Sequence, residues 1–333
     1  MDLWQGMLKA RKMQLPPLEE EEGTANAKKD HGSSDQLQPL PWSDYFESQQ
    51  QIDIEDARFN VYASGLLHTD GPIFMFHHGA GHSGLTFGLV CKHIRQTVPQ
   101  STVIAPDARG HGSTTGKHQD LSLDRLVADY IEIARAMLGE NSEREIILVG
   151  HSMGGAVMTH VAASRKLSPI RGLILIDIVE GTALDSLHAI PSFIAARPQS
   201  FASVSSAIQW HIDSGAIQNL ESARLSVPSL IVQDGSRWSW KTQLMPTEQY
   251  WQGWYTGLSK TFISVPTAKL LILAGSDRLD KELLIAQMQG KFQLDLLPAA
   301  GHTIQEDLPN MVGDAIILFW KRNQPLNIPV RQQ

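Results

Sequence analysis

The 333-residue chain has a single cysteine, Cys91, and no apolar stretch approaching the roughly 20 residues needed to cross a bilayer. One cysteine rules out an intrachain disulfide and fits a reducing compartment. From Met1 to Pro41 there is no apolar run of signal-peptide length. Basic blocks are missing too: 28 Lys and Arg stand against 35 Asp and Glu, for a net charge of −7. A nucleic-acid partner would call for the opposite balance. No internal repeat is present. The expectation is a cytoplasmic protein, with the nucleus as a second compartment, that partners neither nucleic acid nor membrane.

What is present is enough apolar material, 42 % of residues, for one large core with an insertion. Residues 1–40 carry Pro16-Pro17, the acidic run Glu19 to Glu22 and few large apolar side chains. They read as a disordered tail, and residues 326–333 as a short C-terminal one. Pro41-Trp42-Ser43-Asp44-Tyr45-Phe46 is aromatic and could anchor the tail on a domain spanning 41–325.

Within that domain strands and helices alternate. Strands are expected at 59–62, 73–76, 102–105, 145–149, 173–176 and 270–273, and at the alternating Phe292, Leu294 and Leu296. Helical spacing runs from Leu123 to Met137, with Ser122 as N-cap, and further helices fall near 155–166, 281–289 and 310–321. This rhythm predicts an α/β fold with a mainly parallel central sheet and helices on both faces. It breaks between about 180 and 266, where helix-like pieces and five tryptophans (Trp210, Trp238, Trp240, Trp251, Trp254) suggest a helical lid insertion. Those tryptophans either build the lid's own core or line a hydrophobic pocket or docking face.

The chemistry is concentrated in Gly150-His151-Ser152-Met153-Gly154, directly after the apolar run Ile146 to Val149. A strand ending in Gly-x-Ser-x-Gly reads as a sharp turn into a helix, with the serine hydroxyl exposed at its apex. Such a serine is a candidate nucleophile, and it needs a base, an acid that orients the base, and oxyanion donors. His302, after the last strand and Gly301, is the candidate base; the plainer alternative is an ordinary loop histidine, one of 13 in the chain. Two aspartates compete for the acid. Asp177 ends the strand after the serine helix, and Asp277 follows the next strand; both fall at the carboxyl edge of the sheet. Topology alone leans towards Asp277, and the pattern does not separate them. The oxyanion donors expected are the backbone N–H groups of Met153 and of Ala80, in the loop His77-His78-Gly79-Ala80-Gly81-His82.

That loop admits two other readings. Its three histidines could suggest a metal, but no acid or cysteine stands at ligand spacing. Gly79-Ala80-Gly81-His82-Ser83-Gly84 also matches the dinucleotide fingerprint, yet that reading would leave Ser152 and His302 without a purpose. No metal and no cofactor is therefore expected. Asp107-Ala108-Arg109-Gly110-His111-Gly112 also recurs in α/β hydrolases, where it braces loops beside the site.

Taken together these motifs resemble the protein phosphatase methylesterases, from about Pro41 to the last helix. The resemblance is carried by Ile176-Asp177-Ile178-Val179-Glu180-Gly181-Thr182-Ala183, Asn219-Leu220-Glu221-Ser222-Ala223-Arg224 and Tyr250-Trp251-Gln252-Gly253-Trp254. Asp277-Arg278-Leu279-Asp280 and Gln287-Met288-Gln289-Gly290-Lys291-Phe292 belong to the same set. The resemblance implies an α/β-hydrolase fold. It implies a serine esterase that frees the C-terminal leucine of the type 2A protein phosphatase catalytic subunit from its methyl ester, with no cofactor. It further implies that Asp177 is the triad acid, reversing the topological lean. The segment from Ser236 to Thr242 is short where relatives carry a longer loop. Two alternatives accompany this reading: a general esterase of small carboxylic esters, and a non-catalytic regulator that binds the phosphatase.

Overall fold

The computed structural model describes residues 35–117, 120–139, 143–167, 169–275 and 279–324. In chain order the strands are β1 (Ser48–Ile54), β2 (Ala57–Ser64), β3 (Ile73–His77), β4 (Thr102–Pro106), β5 (Thr115–Gly116), β6 (Ile146–His151) and β7 (Ile170–Ile176). They continue with β8 (Ser200–Phe201), β9 (Ile231–Asp234), β10 (Arg237–Trp240), β11 (Ala268–Leu273) and β12 (Gln293–Leu296). Among the described residues nine strands form one sheet, ordered β1-β2-β4-β3-β6-β7-β11-β12, with β5 paired to β2. Pairing is parallel from β4 through β12 and antiparallel where β2 meets β1, β4 and β5.

The central strands are apolar on both faces because helices cover both. Ile73 and Met75 of β3 face one core with Leu148 of β6 and Leu173 of β7, under helices Leu123–Leu138 and Met153–Ser164. Phe74 and Phe76 face the other with Val149 and Ile174, under helices Gly88–Thr97 and Pro309–Arg322. The period of two along a strand thus feeds two separate layers. Cys91 lies buried in the second layer, within helix Gly88–Thr97.

Three features differ from the sequence expectation. First, β1, with the sequence Ser-Gln-Gln-Gln-Ile-Asp-Ile, is an edge strand held by seven paired positions with β2 rather than by buried apolar residues. Second, the stretch between β7 and β11 is not purely helical: β8, β10 and β9 form a small antiparallel sheet. It packs on its own core of Phe201, Ala207, Ile208, Ile217, Ala223, Val227 and Ile231. Third, the end of the compositional tail is docked, since the Leu40 N–H donates to the Arg224 carbonyl at 3.0 Å and Arg224 Nε donates to the Gln38 carbonyl at 2.6 Å. Just beyond, the Trp42 ring lies 6.1 Å from that of Tyr62. The Tyr45 hydroxyl donates to Glu221 at 2.7 Å, so the aromatic segment does fasten to the domain. The rest of the expected N-terminal tail (residues 1–34) and the C-terminal tail (325–333) lie outside the described residues.

Candidate active site

β6 leaves the sheet at its carboxyl edge and turns at once into helix Met153–Ser164. Ser152 takes φ +51°, a left-handed conformation that a residue with a Cβ adopts only when its surroundings enforce it. The glycines around it are required by space. A Cβ on Gly150 would lie 2.3 Å from the Gly154 carbonyl oxygen, and one on Gly154 would lie 2.2 Å from that of His77. The Gly-x-Ser-x-Gly spacing therefore lets the helix start close against both β6 and β3. The Ser152 N–H donates to the Ile176 carbonyl at 3.1 Å, which fastens the apex to the end of β7.

Asp177 follows directly after β7, also at positive φ (+50°). Its N–H donates to the Ile272 carbonyl of β11 at 2.8 Å, and its Oδ1 accepts from the Ala274 N–H at 3.2 Å. Oδ2 lies 2.8 Å from His302 Nδ1. The Asp177 side chain is fully buried and that of His302 is 21 % exposed, so the imidazole is held from behind and open in front. With Nδ1–H donated to the carboxylate, Nε2 keeps its lone pair. Asp277, the competing acid of the sequence pattern, lies outside the described residues.

The His302 loop is tied down on both sides. The Gly301 N–H donates to Asp307 at 2.7 Å, Asp307 also accepts from the Gln218 N–H at 2.8 Å, and the Thr303 hydroxyl donates to the Ala216 carbonyl at 2.9 Å. His151 Nε2 donates to the His302 carbonyl at 3.0 Å, and the two rings lie 4.8 Å apart. Among the described residues Ser152 makes no hydrogen bond to His302, and the Tyr255 phenol is a neighbour of its hydroxyl. Burial raises that phenol to about 12, with Ser152 pulling the other way, so Tyr255 stays protonated.

Opposite Ser152 stands the loop after β3. A Cβ on Gly79 would sit 3.1 Å from the Ser152 Cβ, so the backbone just before Ala80 packs against the serine. The Met153 N–H, at the first turn of its helix, has no intrahelical acceptor. His78 sets the loop by accepting from the Ala108 N–H at Nε2 (2.9 Å) and donating from Nδ1 to the Gly79 carbonyl (2.8 Å). His77 similarly bonds the His78 carbonyl through Nδ1 at 2.9 Å. Burial holds His77 near 4 and His82 near 3, so both imidazoles are neutral.

The Asp-x-Arg-Gly-His-Gly segment braces the same loop. Asp107 accepts from Gly84 N–H (2.7 Å), Ser113 N–H (2.8 Å) and Asn60 Nδ2 (2.9 Å). Arg109 grips Asp129 through two nitrogens at 2.7 and 2.9 Å and reaches Asp56 at 2.9 Å.

Beneath the His302 loop, Glu306 is buried, and among the described residues neither carboxyl oxygen has a hydrogen-bond partner. Burial raises it from 4.5 to about 8, and the charge of Asp307 adds to the rise. The folded pKa is above the unfolded one, so the stability linked to this group is full below about pH 4.5 and is lost as pH rises through about 8. Glu306→Gln removes the titration. Between pH 5 and pH 9 the wild type is expected to lose on the order of 3 kcal/mol relative to the variant, read from urea unfolding midpoints at each pH. Parallel pH profiles for the two proteins would show that Glu306 finds solvation when ionised.

Comparison with known proteins places this geometry. An alpha/beta hydrolase family model matches residues 74–314. The chain is 37 % identical to human protein phosphatase methylesterase 1, over 93 % of this chain and 92 % of that protein. It is 41 % identical to the protein of the same name from Aspergillus oryzae, over 88 % and 74 %. The chain belongs to the protein phosphatase methylesterase family of α/β hydrolases. Solved structures agree on the fold: an E-2-(acetamidomethylene)succinate hydrolase superposes with a TM-score of 0.69 at 20 % identity, covering 82 % of this chain and 99 % of that one.

In this member of the family the segments that carry the sequence resemblance join the lid to the catalytic edge. Glu180, three residues after Asp177, accepts from the N–H groups of Gly257 (2.7 Å) and Ser259 (2.9 Å). Asp280 accepts from the Ser259 hydroxyl at 2.6 Å. These bonds fix the turn that follows Tyr255. Trp251 and Trp254 belong to the main core, with Trp254 Nε1 donating to the Leu121 carbonyl at 2.6 Å, whereas Trp210, Trp238 and Trp240 pack on the lid's own cluster. Tyr255 is the site neighbour that sequence reading missed, although it directly follows the Tyr250–Trp254 segment.

Proposed function

We propose that this chain is a serine esterase that hydrolyses the methyl ester on the C-terminal leucine of the type 2A protein phosphatase catalytic subunit, through an acyl-enzyme. The observation that carries this is the Asp177–His302 pair, joined at 2.8 Å with the aspartate buried, beside a serine on a strained elbow. Family membership supplies the ester and the protein that bears it, for the curated relatives are named for phosphatase demethylation.

Ser152 turns from Tyr255 towards His302 Nε2 when the ester occupies the site. His302 takes the hydroxyl proton as Oγ attacks the carbonyl carbon, and Asp177 stabilises the imidazolium without itself being protonated. The N–H groups of Met153 and Ala80 hold the tetrahedral oxyanion. Collapse breaks the bond to the methoxy oxygen, which leaves as methanol with the proton from His302. Water then gives a proton to the same imidazole and attacks the acyl carbon, and collapse expels Ser152 Oγ, which takes that proton back from His302 as the product acid leaves and ionises.

The test is incubation with the methyl-esterified phosphatase, reading methanol release and the free C-terminus, with a free leucine methyl ester in parallel. The expected result is turnover of the protein substrate with kcat/KM at least about 100-fold above the small ester, the gain that positioned remote contacts supply. Equal turnover of both would make this a general esterase. No turnover of either, with the phosphatase still bound, would make it a binding regulator.

A further inference from the structure

Most arginines near the catalytic edge are spoken for. Arg109 and Arg125 are ion-paired to Asp129 at 2.7 Å each. Arg197 is the contrast. It follows helix Ile190–Ala196, and its guanidinium lies 4.4 Å from the ring centroid of Trp240. Its Nε is buried with no partner, and among the described residues no acceptor engages the head of this side chain. Burial lowers it only to about 10, so it is charged at neutral pH. A half-buried cation held without an anion is an energetic loss that a bound ligand can offset.

Its surroundings are closely packed and adjoin the catalytic loops. Trp240 Nε1 donates to the Pro198 carbonyl at 2.8 Å, and the ring is packed by Phe201 (5.3 Å) and His211 (5.6 Å). Immediately after Trp240 the chain crosses the catalytic loops. The Thr242 hydroxyl donates to the Gly110 carbonyl at 2.9 Å, and the Leu244 side chain would meet a Cβ on Gly81, next to Ala80, at 3.2 Å. The charge of Arg197 is felt at both His82 and His211. Those histidines are kept neutral by burial, Asp177 is held by His302, and among the described residues no acidic group pairs with Arg197.

We infer that Arg197, stacked on Trp240, is a subsite for a carboxylate on the peptide bound at Ser152. A guanidinium over an indole can still offer its two terminal nitrogens, and that pair matches the two oxygens of a carboxylate. The methyl ester itself is uncharged. The carboxylate is therefore either an acidic side chain upstream of the ester or the acid released on hydrolysis. This inference rests on the esterase reading above.

The experiment uses short peptides ending in leucine methyl ester, uncharged or with a single Asp at successive positions before the leucine, each compared with its Asn counterpart. In the wild type one Asp position is expected to raise kcat/KM for methanol release about 10- to 30-fold, with the preference shrinking as salt is added. Arg197→Gln should bring the Asp and Asn peptides to within about 3-fold, and Arg197→Lys should keep only part of the preference, since an ammonium has neither fork nor stack. If the product acid is the occupant, no ester position matters, and the uncharged free-acid peptide inhibits the wild type about 10-fold better than Arg197→Gln. Turnover with neither an Asp preference nor stronger product inhibition overturns the subsite and leaves the esterase standing. No turnover of any peptide ester overturns the esterase reading itself. If Arg197→Gln folds poorly, Arg197→Lys carries the same two comparisons, and the absence of any Asp preference in the wild type still overturns the acidic-side-chain occupant.

Discussion

Ser152→Ala is expected to lower kcat/KM for the methylated phosphatase by about 10⁵-fold, leaving only what the oxyanion donors and binding supply. The loss is large because no second nucleophile stands at the elbow: the flanking side chains are His151, bonded to the His302 carbonyl, and Met153, fully buried. Stability should change by no more than about 1 kcal/mol, because alanine meets the same positive φ as serine and gives up only the approach to Tyr255. Binding of the unmethylated phosphatase should persist. The check pairs methanol release with thermal unfolding and with labelling by a fluorophosphonate, which the wild type takes up at Ser152 and the variant does not. Activity within tenfold of wild type would remove Ser152 from the mechanism.

Legibility of the fold followed burial. β3, β6, β7 and β11 are buried on both faces, so each appears in the sequence as a short apolar run, and the expected limits fall within three residues of the observed ones. β1 carries Gln49, Gln50 and Gln51, and its place is set by the backbone of β2, a long-range pairing that leaves no periodic trace. β9 and β10 are four residues each around Gly235, with only Ile231 buried, too short and too polar to read as a hairpin. For the site, Ser152, Met153 and Ala80 sit in local motifs, because the steric demands that shape them act between near neighbours and across β3 and β6. Arg197 and Tyr255 acquire their meaning only when the lid folds over the sheet.

The acid could not be read locally, because the bond that defines it joins residues 125 positions apart. Asp177→Asn tests it, and kcat is expected to fall about 10⁴-fold. A carboxylate accepts the Nδ1 proton and leaves Nε2 basic. An asparagine can present its amide N–H to Nδ1 instead, which favours the tautomer protonated at Nε2, where the serine proton must go. The backbone around the site should hold, since the bond from the Asp177 N–H to the Ile272 carbonyl is kept, and Asn tolerates φ +50° as well as Asp does. KM should move little, because Asp177 lies behind the imidazole, buried away from any ester. Asp277→Asn is the control. Near-normal kcat in Asp177→Asn, with the loss appearing in Asp277→Asn, would transfer the role to the loop after β11. Loss in Asp177→Asn alone ties the general base to the carboxylate that now holds it at 2.8 Å.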